Sequence, residues 1–209
     1  MDSHILYSFR RCPYAIRARM ALSYCQIAYE HREILLNNRP KILYKISPKG
    51  TVPVLHLKNG LVIDESIDIM KWALKKYDPD MWYASQLEEQ DNLIQINDYD
   101  FKPKLDRYKY HIRYPENDFN TYQKDVSKFL DLYENKLKLR QFLISDNVSL
   151  ADIALMPFIR QCAFVDIDWF NTKFVYLKKW LNKWIDSDLF TKIMVKHETW
   201  DDSTVSQIL

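Results

Sequence analysis

The sequence predicts an α/β domain over residues 1–78 followed by an all-α domain over residues 86–209, on three observations. Residues 4–77 alternate short apolar extended runs with helical periods and dense turn signals. Residues 86–196 show long helical periodicities with no comparable strand-like run and no glycine. Charge divides at the same place: residues 1–78 hold 13 basic and 7 acidic side chains, +6, and residues 79–209 hold 17 and 21, −4. A chain of 209 residues and 25.2 kDa is long enough for two domains of this kind.

Residues 4–9 (His-Ile-Leu-Tyr-Ser-Phe) predict a buried strand, broken by Arg10-Arg11-Cys12-Pro13. Pro13 suits the first turn of a helix over 14–24, with Ile16, Met20 and Ala21 on one stripe and Arg17 and Arg19 off it. A second extended run lies within 27–36. Arg39-Pro40 opens a short helix, and Ser47-Pro48-Lys49-Gly50 is a turn. Residues 52–57 and 61–63, joined through Asn59-Gly60, predict a hairpin. A helix over 66–77 carries Ile67, Met70 and Leu74 on one face and ends at Asp78-Pro79. Pro103, Pro115 and Pro157 are expected to kink or separate helices in the second domain.

Composition excludes several function classes. Hydrophobic residues are 47% and charged residues 28%, ordinary globular values, and the net charge of +2 is too mild to point to a nucleic-acid surface. The two glycines, Gly50 and Gly60, leave no phosphate-cradling or dinucleotide fingerprint. Three separated cysteines and five scattered histidines give no metal spacing. The absence of a secretion pattern and of an apolar run of about 18 residues leads us to expect a cytoplasmic protein free of the membrane.

One cysteine is placed for chemistry. Cys12 falls between a strand and a helix with Pro13 next, so its sulfur is expected near the first helical turn, where unpaired N–H groups and the helix dipole favour a thiolate. Cys25 and Cys162 lie among apolar neighbours and read as core filler. Pro53 interrupts an otherwise good strand and marks an edge or a special bend.

Cys12-Pro13-Tyr14 after a short strand, Thr51-Val52-Pro53-Val54-Leu55 after a Pro-Lys-Gly turn, and Asp64-Glu65-Ser66 opening the next helix together resemble the thioredoxin-like, glutathione-binding domain of the glutathione S-transferase superfamily. In the helical half, Ser149-Leu150-Ala151-Asp152 resembles the family's capping motif, in which a serine caps the helix and an acidic side chain reaches back. The resemblance implies a cis peptide before Pro53 and a cysteine-type member, similar to the omega, beta and glutaredoxin-like groups. There Cys12 forms a mixed disulfide with glutathione and a second glutathione releases it. With Ala15 three positions on, Cys12 works as a monothiol.

The remaining roles implied by the resemblance are residue-specific. The backbone of Val52, before Pro53, pairs with the cysteinyl part of glutathione. Glu65 meets the γ-glutamyl ammonium and Ser66 its carboxylate, with a plain helix cap as the alternative reading of Ser66. Arg39 meets the glycyl carboxylate, or is a solvated surface arginine. Tyr14, with Tyr108 and Tyr110, walls the co-substrate side. Asp152, Trp180 and Trp184 are structural. The implied partners are glutathione as co-substrate, a small electrophile or mixed disulfide, and a second copy in a homodimer, with no metal and no nucleic acid.

Two further readings stay open. One is conjugation or isomerisation with Tyr7 or Ser8 activating glutathione, and the other is a non-catalytic interaction module on the same fold. The polar tail from His197 to Leu209 is short for closing a substrate cleft.

Overall fold

In the computed structural model, which describes residues 3–201 and 207–208, the chain forms two compact units. The first joins Met1–Pro79 to Asp188–Leu209, and the second is Asp80–Ser187. The helical domain expected over 86–209 therefore ends earlier. From Asp188 onward the chain belongs to the sheet unit, because α10 (Asp188–Ile193) packs on α1 (Pro13–Tyr24) and β5 (Gln207–Ile208) pairs with β2 (Tyr29–Glu33).

The sheet has the order β4-β3-β1-β2-β5, with β1 spanning His4–Ser8, β3 Val54–His56 and β4 Val62–Ile63. β1 and β2 are parallel, joined by the crossover through α1, and the other pairings are antiparallel. Gly60, at φ +90°, makes the hairpin between β3 and β4 that Asn59-Gly60 predicts. Alternation along β1 sends Ile5 and Tyr7 to one face, where they join Leu43 of α2 (Lys41–Ile46), Val52, Val54 and Trp200 in a core. Leu6 and Ser8 point to the opposite face, where Ser8 meets α1.

The helix α1 differs from the expected amphipathic stripe. It is buried nearly all round, with α3 (Ser66–Leu74) and α10 packed against it. Arg17 and Arg19, off the apolar stripe, are each 1% exposed.

The second unit is helical among its described residues. The run α4 (Leu87–Gln95), a π-helical turn Ile96–Phe101 and α5 (Lys102–Lys109) is continuous, and Pro103, which lacks an N–H to donate, directly follows the π-helical turn. Pro115 separates α5 from α6 (Phe119–Leu139). Pro157 lies inside α7 (Leu150–Ala163), which continues through it. Helices α8 (Ile167–Lys173) and α9 (Val175–Ile185) complete the unit. Asp152 is its buried polar centre. It accepts from the Ser149 N–H and hydroxyl, at 3.0 and 2.6 Å, and from the Leu143 N–H and Trp180 Nε1, both at 2.9 Å, so the predicted capping box is present. Trp180 and Trp184 are buried.

Candidate active site

Cys12 is the N-cap of α1, in extended conformation at φ −71° and ψ 122°, and it is half-buried. Pro13 follows in the first helical turn. The turn is closed by the Cys12 N–H donating to the Phe9 carbonyl at 3.0 Å. The thiol donates to the Val52 carbonyl at 3.6 Å, which ties the start of α1 to the segment entering β3. The Val52–Pro53 peptide is cis, and both residues are buried. By contrast, burial pushes the Cys25 thiol up to about 12, and that of Cys162 up as well, so neither holds a thiolate.

The segment before Pro53 is held from two sides. Gly50, at φ +61°, lies under the Tyr44 ring, where a Cβ would come within 2.3 Å of the ring, so no other residue fits without displacing Tyr44. The Ser47 hydroxyl donates to Asp64 at 2.8 Å, and this bond, with Lys49 beside it, keeps the Asp64 carboxyl below its ordinary value. Lys49 also pairs with Glu65 at 2.5 Å. Glu65 is the exposed N-cap of α3, but its side chain makes no capping bond.

Ser66 is the first residue of α3 and is 4% exposed. Its oxygen accepts from Arg17 Nε at 3.0 Å and from Nη2 at 2.9 Å. A plain capping role is thereby set aside, since the N-cap is Glu65 and the Ser66 oxygen is occupied by a side chain from α1. The Arg17 guanidinium lies 5.0 Å from the centre of the half-buried Tyr14 ring. Arg39, half-buried before α2, has a buried Nε with no hydrogen-bond partner and bonds to none of the other site residues.

Arg19 props the turn from behind. It donates to the Ser8 hydroxyl, to the Phe9 and Arg10 carbonyls at 3.4 and 2.9 Å, and to the Ile193 carbonyl at the end of α10 at 3.2 Å. Glu33 holds the other edge by accepting the Arg10 N–H at 2.6 Å. Tyr7 and Ser8 are 1% and 0% exposed, and their oxygens accept from Arg32 and Arg19 respectively.

Tyr108 departs from expectation. It is fully buried in the helical unit, with its ring against Phe119 and Trp169 and its hydroxyl accepting from Gln123, so it presents no surface to a co-substrate. Tyr110 is exposed, with Lys109 and Arg113 over its ring. Arg17, Arg19 and Lys49 are the residues sequence reasoning missed. An arginine off a helical stripe ordinarily reads as solvated, and no local signal marks Arg17 and Arg19 as buried, while Lys49 is an exposed lysine in a turn.

Residues 6–81 match the family model for the glutathione S-transferase N-terminal domain and residues 98–188 that for the C-terminal domain. Mouse glutathione S-transferase omega-1 is 25% identical over 181 residues, covering 84% of this chain and 74% of that protein. A pyrimidodiazepine synthase of Drosophila melanogaster is 25% identical over 194 residues, covering 85% and 75%. Among solved structures, a glutathione transferase of Phanerochaete chrysosporium in complex with oxidised glutathione superposes with a TM-score of 0.80 at 19% identity, over 91% of this chain and 94% of that one. Among the described residues no helix is long and apolar enough to cross a membrane. No cluster of three histidine, cysteine, aspartate or glutamate side chains there is placed to hold a metal.

Proposed function

The chain belongs to the glutathione S-transferase superfamily, and we propose that it is a glutathione-dependent thiol transferase working through a mixed disulfide on Cys12. The observation that carries this reading is a half-buried cysteine at the N-cap of α1, with its sulfur 3.6 Å from the carbonyl before the cis proline. When the thiol ionises it loses its donor to Val52, and the unpaired N–H groups of the first helical turn become its natural partners.

In the proposed cycle the Cys12 thiolate attacks the glutathionyl sulfur of a mixed disulfide. A Cys12–glutathione S–S bond forms, the substrate S–S bond breaks, and the substrate thiolate leaves and takes up a proton. A second glutathione thiolate then attacks the bound glutathionyl sulfur, releasing oxidised glutathione and restoring the Cys12 thiolate. The net exchange consumes one glutathione thiol and one glutathionylated substrate and yields the substrate thiol and oxidised glutathione, and Ala15 supplies no resolving thiol in the turn.

The binding roles follow the same reading. The Val52 backbone pairs with the cysteinyl portion in the manner of an added strand. Glu65 receives the γ-glutamyl ammonium beside Lys49, Ser66 its carboxylate, and the uncommitted Arg39 Nε the glycyl carboxylate. Activation of glutathione by Tyr7 or Ser8 is disfavoured by their burial. We read the second substrate as a small electrophile or mixed disulfide and the setting as a cytoplasmic homodimer, which sedimentation would test separately.

The deciding experiment is incubation with oxidised glutathione followed by intact mass spectrometry, with Cys12→Ser in parallel. One glutathione adduct, absent from the variant and removed by reduced glutathione, is expected. No adduct, or one carried by Cys25 or Cys162, would overturn the cycle and favour a binding module.

A further inference from the structure

We propose that Arg17 is a positioning residue that fixes Ser66 as an obligate hydrogen-bond donor, so that the start of α3 selects a ligand bearing a carboxylate. On the reading given above, that ligand group is the α-carboxylate at the γ-glutamyl end of glutathione.

A serine hydroxyl has one proton to donate and two lone pairs that accept. Arg17 directs Nε and Nη2 at the Ser66 oxygen, at 3.0 and 2.9 Å, and so fills both acceptor positions from one planar fork. The hydroxyl proton is what remains. Because Ser66 is the first residue of α3 rather than its N-cap, its lone pairs are not drawn into the capping pattern and stay with Arg17. Arg17 and Ser66 are 1% and 4% exposed, so water competes weakly for the pair and the rotamer of the hydroxyl is held.

A group bound there must therefore accept. An ammonium or an amide N–H pointed at Ser66 meets a hydroxyl with no lone pair to give. A carboxylate gains a charge-assisted bond and the field of a buried guanidinium behind it. Arg17 never touches the ligand in this arrangement and acts through Ser66 from 49 residues away in sequence.

The test is titration calorimetry with S-methylglutathione and with its analogue in which γ-aminobutyryl replaces γ-glutamyl, removing that carboxylate. The wild type is expected to prefer S-methylglutathione by about tenfold, the worth of one charge-assisted hydrogen bond. Arg17→Met and Ser66→Ala should each abolish the preference, and the double variant should lose no more than either alone. Alkylation of Cys12 by iodoacetamide, unchanged across the series, serves as the control for an intact turn. A preference retained in Arg17→Met overturns the assignment, as does equal binding of the two ligands by the wild type. Should Arg17→Met not fold, Arg17→Lys carries the test. It keeps the charge but loses the fork, and full retention of the preference would overturn the proposal. Failure of the wild type to bind either ligand instead overturns the glutathione reading on which the proposal rests.

Discussion

In the sheet unit Arg17, Arg19, Glu30, His31 and Glu33 are all buried, whereas the described residues of the helical unit bury one charged side chain, Asp152. Burying charge is costly unless every donor and acceptor is satisfied, so the two units face the same physics with different solutions. Asp152 is satisfied mainly by its immediate surroundings: Ser149 three residues away, Leu143 nine away, and Trp180 from the next layer. Burial raises its carboxyl pKa and those donors offset part of the rise. In the sheet unit Glu30 and His31 pair two residues away, but Arg17 reaches across 49 residues and Arg19, besides its bonds to Ser8, Phe9 and Arg10, across 174. One arrangement caps a helix, while the other braces the turn that carries Cys12 and bonds to Ser66 at the start of α3.

The largest effect is expected from Arg19→Met. Removing the guanidinium leaves the Ser8 hydroxyl and the Phe9, Arg10 and Ile193 carbonyls without their buried donor, at a cost of about 4–5 kcal/mol. Loss of hydrogen-exchange protection in β1 and α1 would report it, and unchanged protection would break the contrast. Next comes Asp152→Ala, which orphans two backbone N–H groups, the Ser149 hydroxyl and the Trp180 indole. About 3–4 kcal/mol should be lost in denaturant unfolding, read by protection in α7. If the two variants prove equally mild, long-range and local satisfaction are energetically alike.

Trp200→Ala should cost about 3 kcal/mol through loss of a buried ring from the core. Its ring packs edge-on against Tyr7 at 5.9 Å and lies 4.2 Å from the Arg32 guanidinium, while its backbone N–H, which the variant keeps, donates to the Glu33 carbonyl. A drop in melting temperature measures the loss, and no change would show that the tail contributes nothing to the sheet unit.

The smallest effect is pH-dependent. His31 is buried, with Glu33 accepting from its Nε2, the His197 ring tilted against it at 4.4 Å, Tyr29 tilted alongside and Arg19 nearby. Burial holds its pKa below the usual imidazole value, the positive field of Arg19 and His197 adding to the effect and Glu33 opposing it. The folded protein therefore binds fewer protons than the unfolded chain below about pH 6.5. Stability is fully present above that pH and falls as pH drops through the depressed pKa. Thermal melts at pH 7 and pH 5 should show this, and His31→Gln should flatten the difference.

Sequence patterning determined what depends on neighbours along the chain. The strand-to-helix turn at Cys12-Pro13, the hairpin at Asn59-Gly60 and the Ser149–Asp152 box are each settled within a few residues, because turn conformations and helix caps are short-range chemistry. The family motifs extended that reach to the cis bond before Pro53. What only the tertiary structure decided depends on partners remote in sequence. Arg17 and Arg19 look solvent-facing on a helical wheel, and become buried because α3 and α10 close over α1. Tyr108 looks available to a ligand and is instead enclosed by Phe119 and Trp169. The segment from Asp188 reads as the end of a helical domain, yet it supplies α10, Trp200 and β5 to the sheet unit. Hydrophobic periodicity records which face of an element is apolar, but a charged side chain's burial is set by whether a distant group meets its hydrogen bonds.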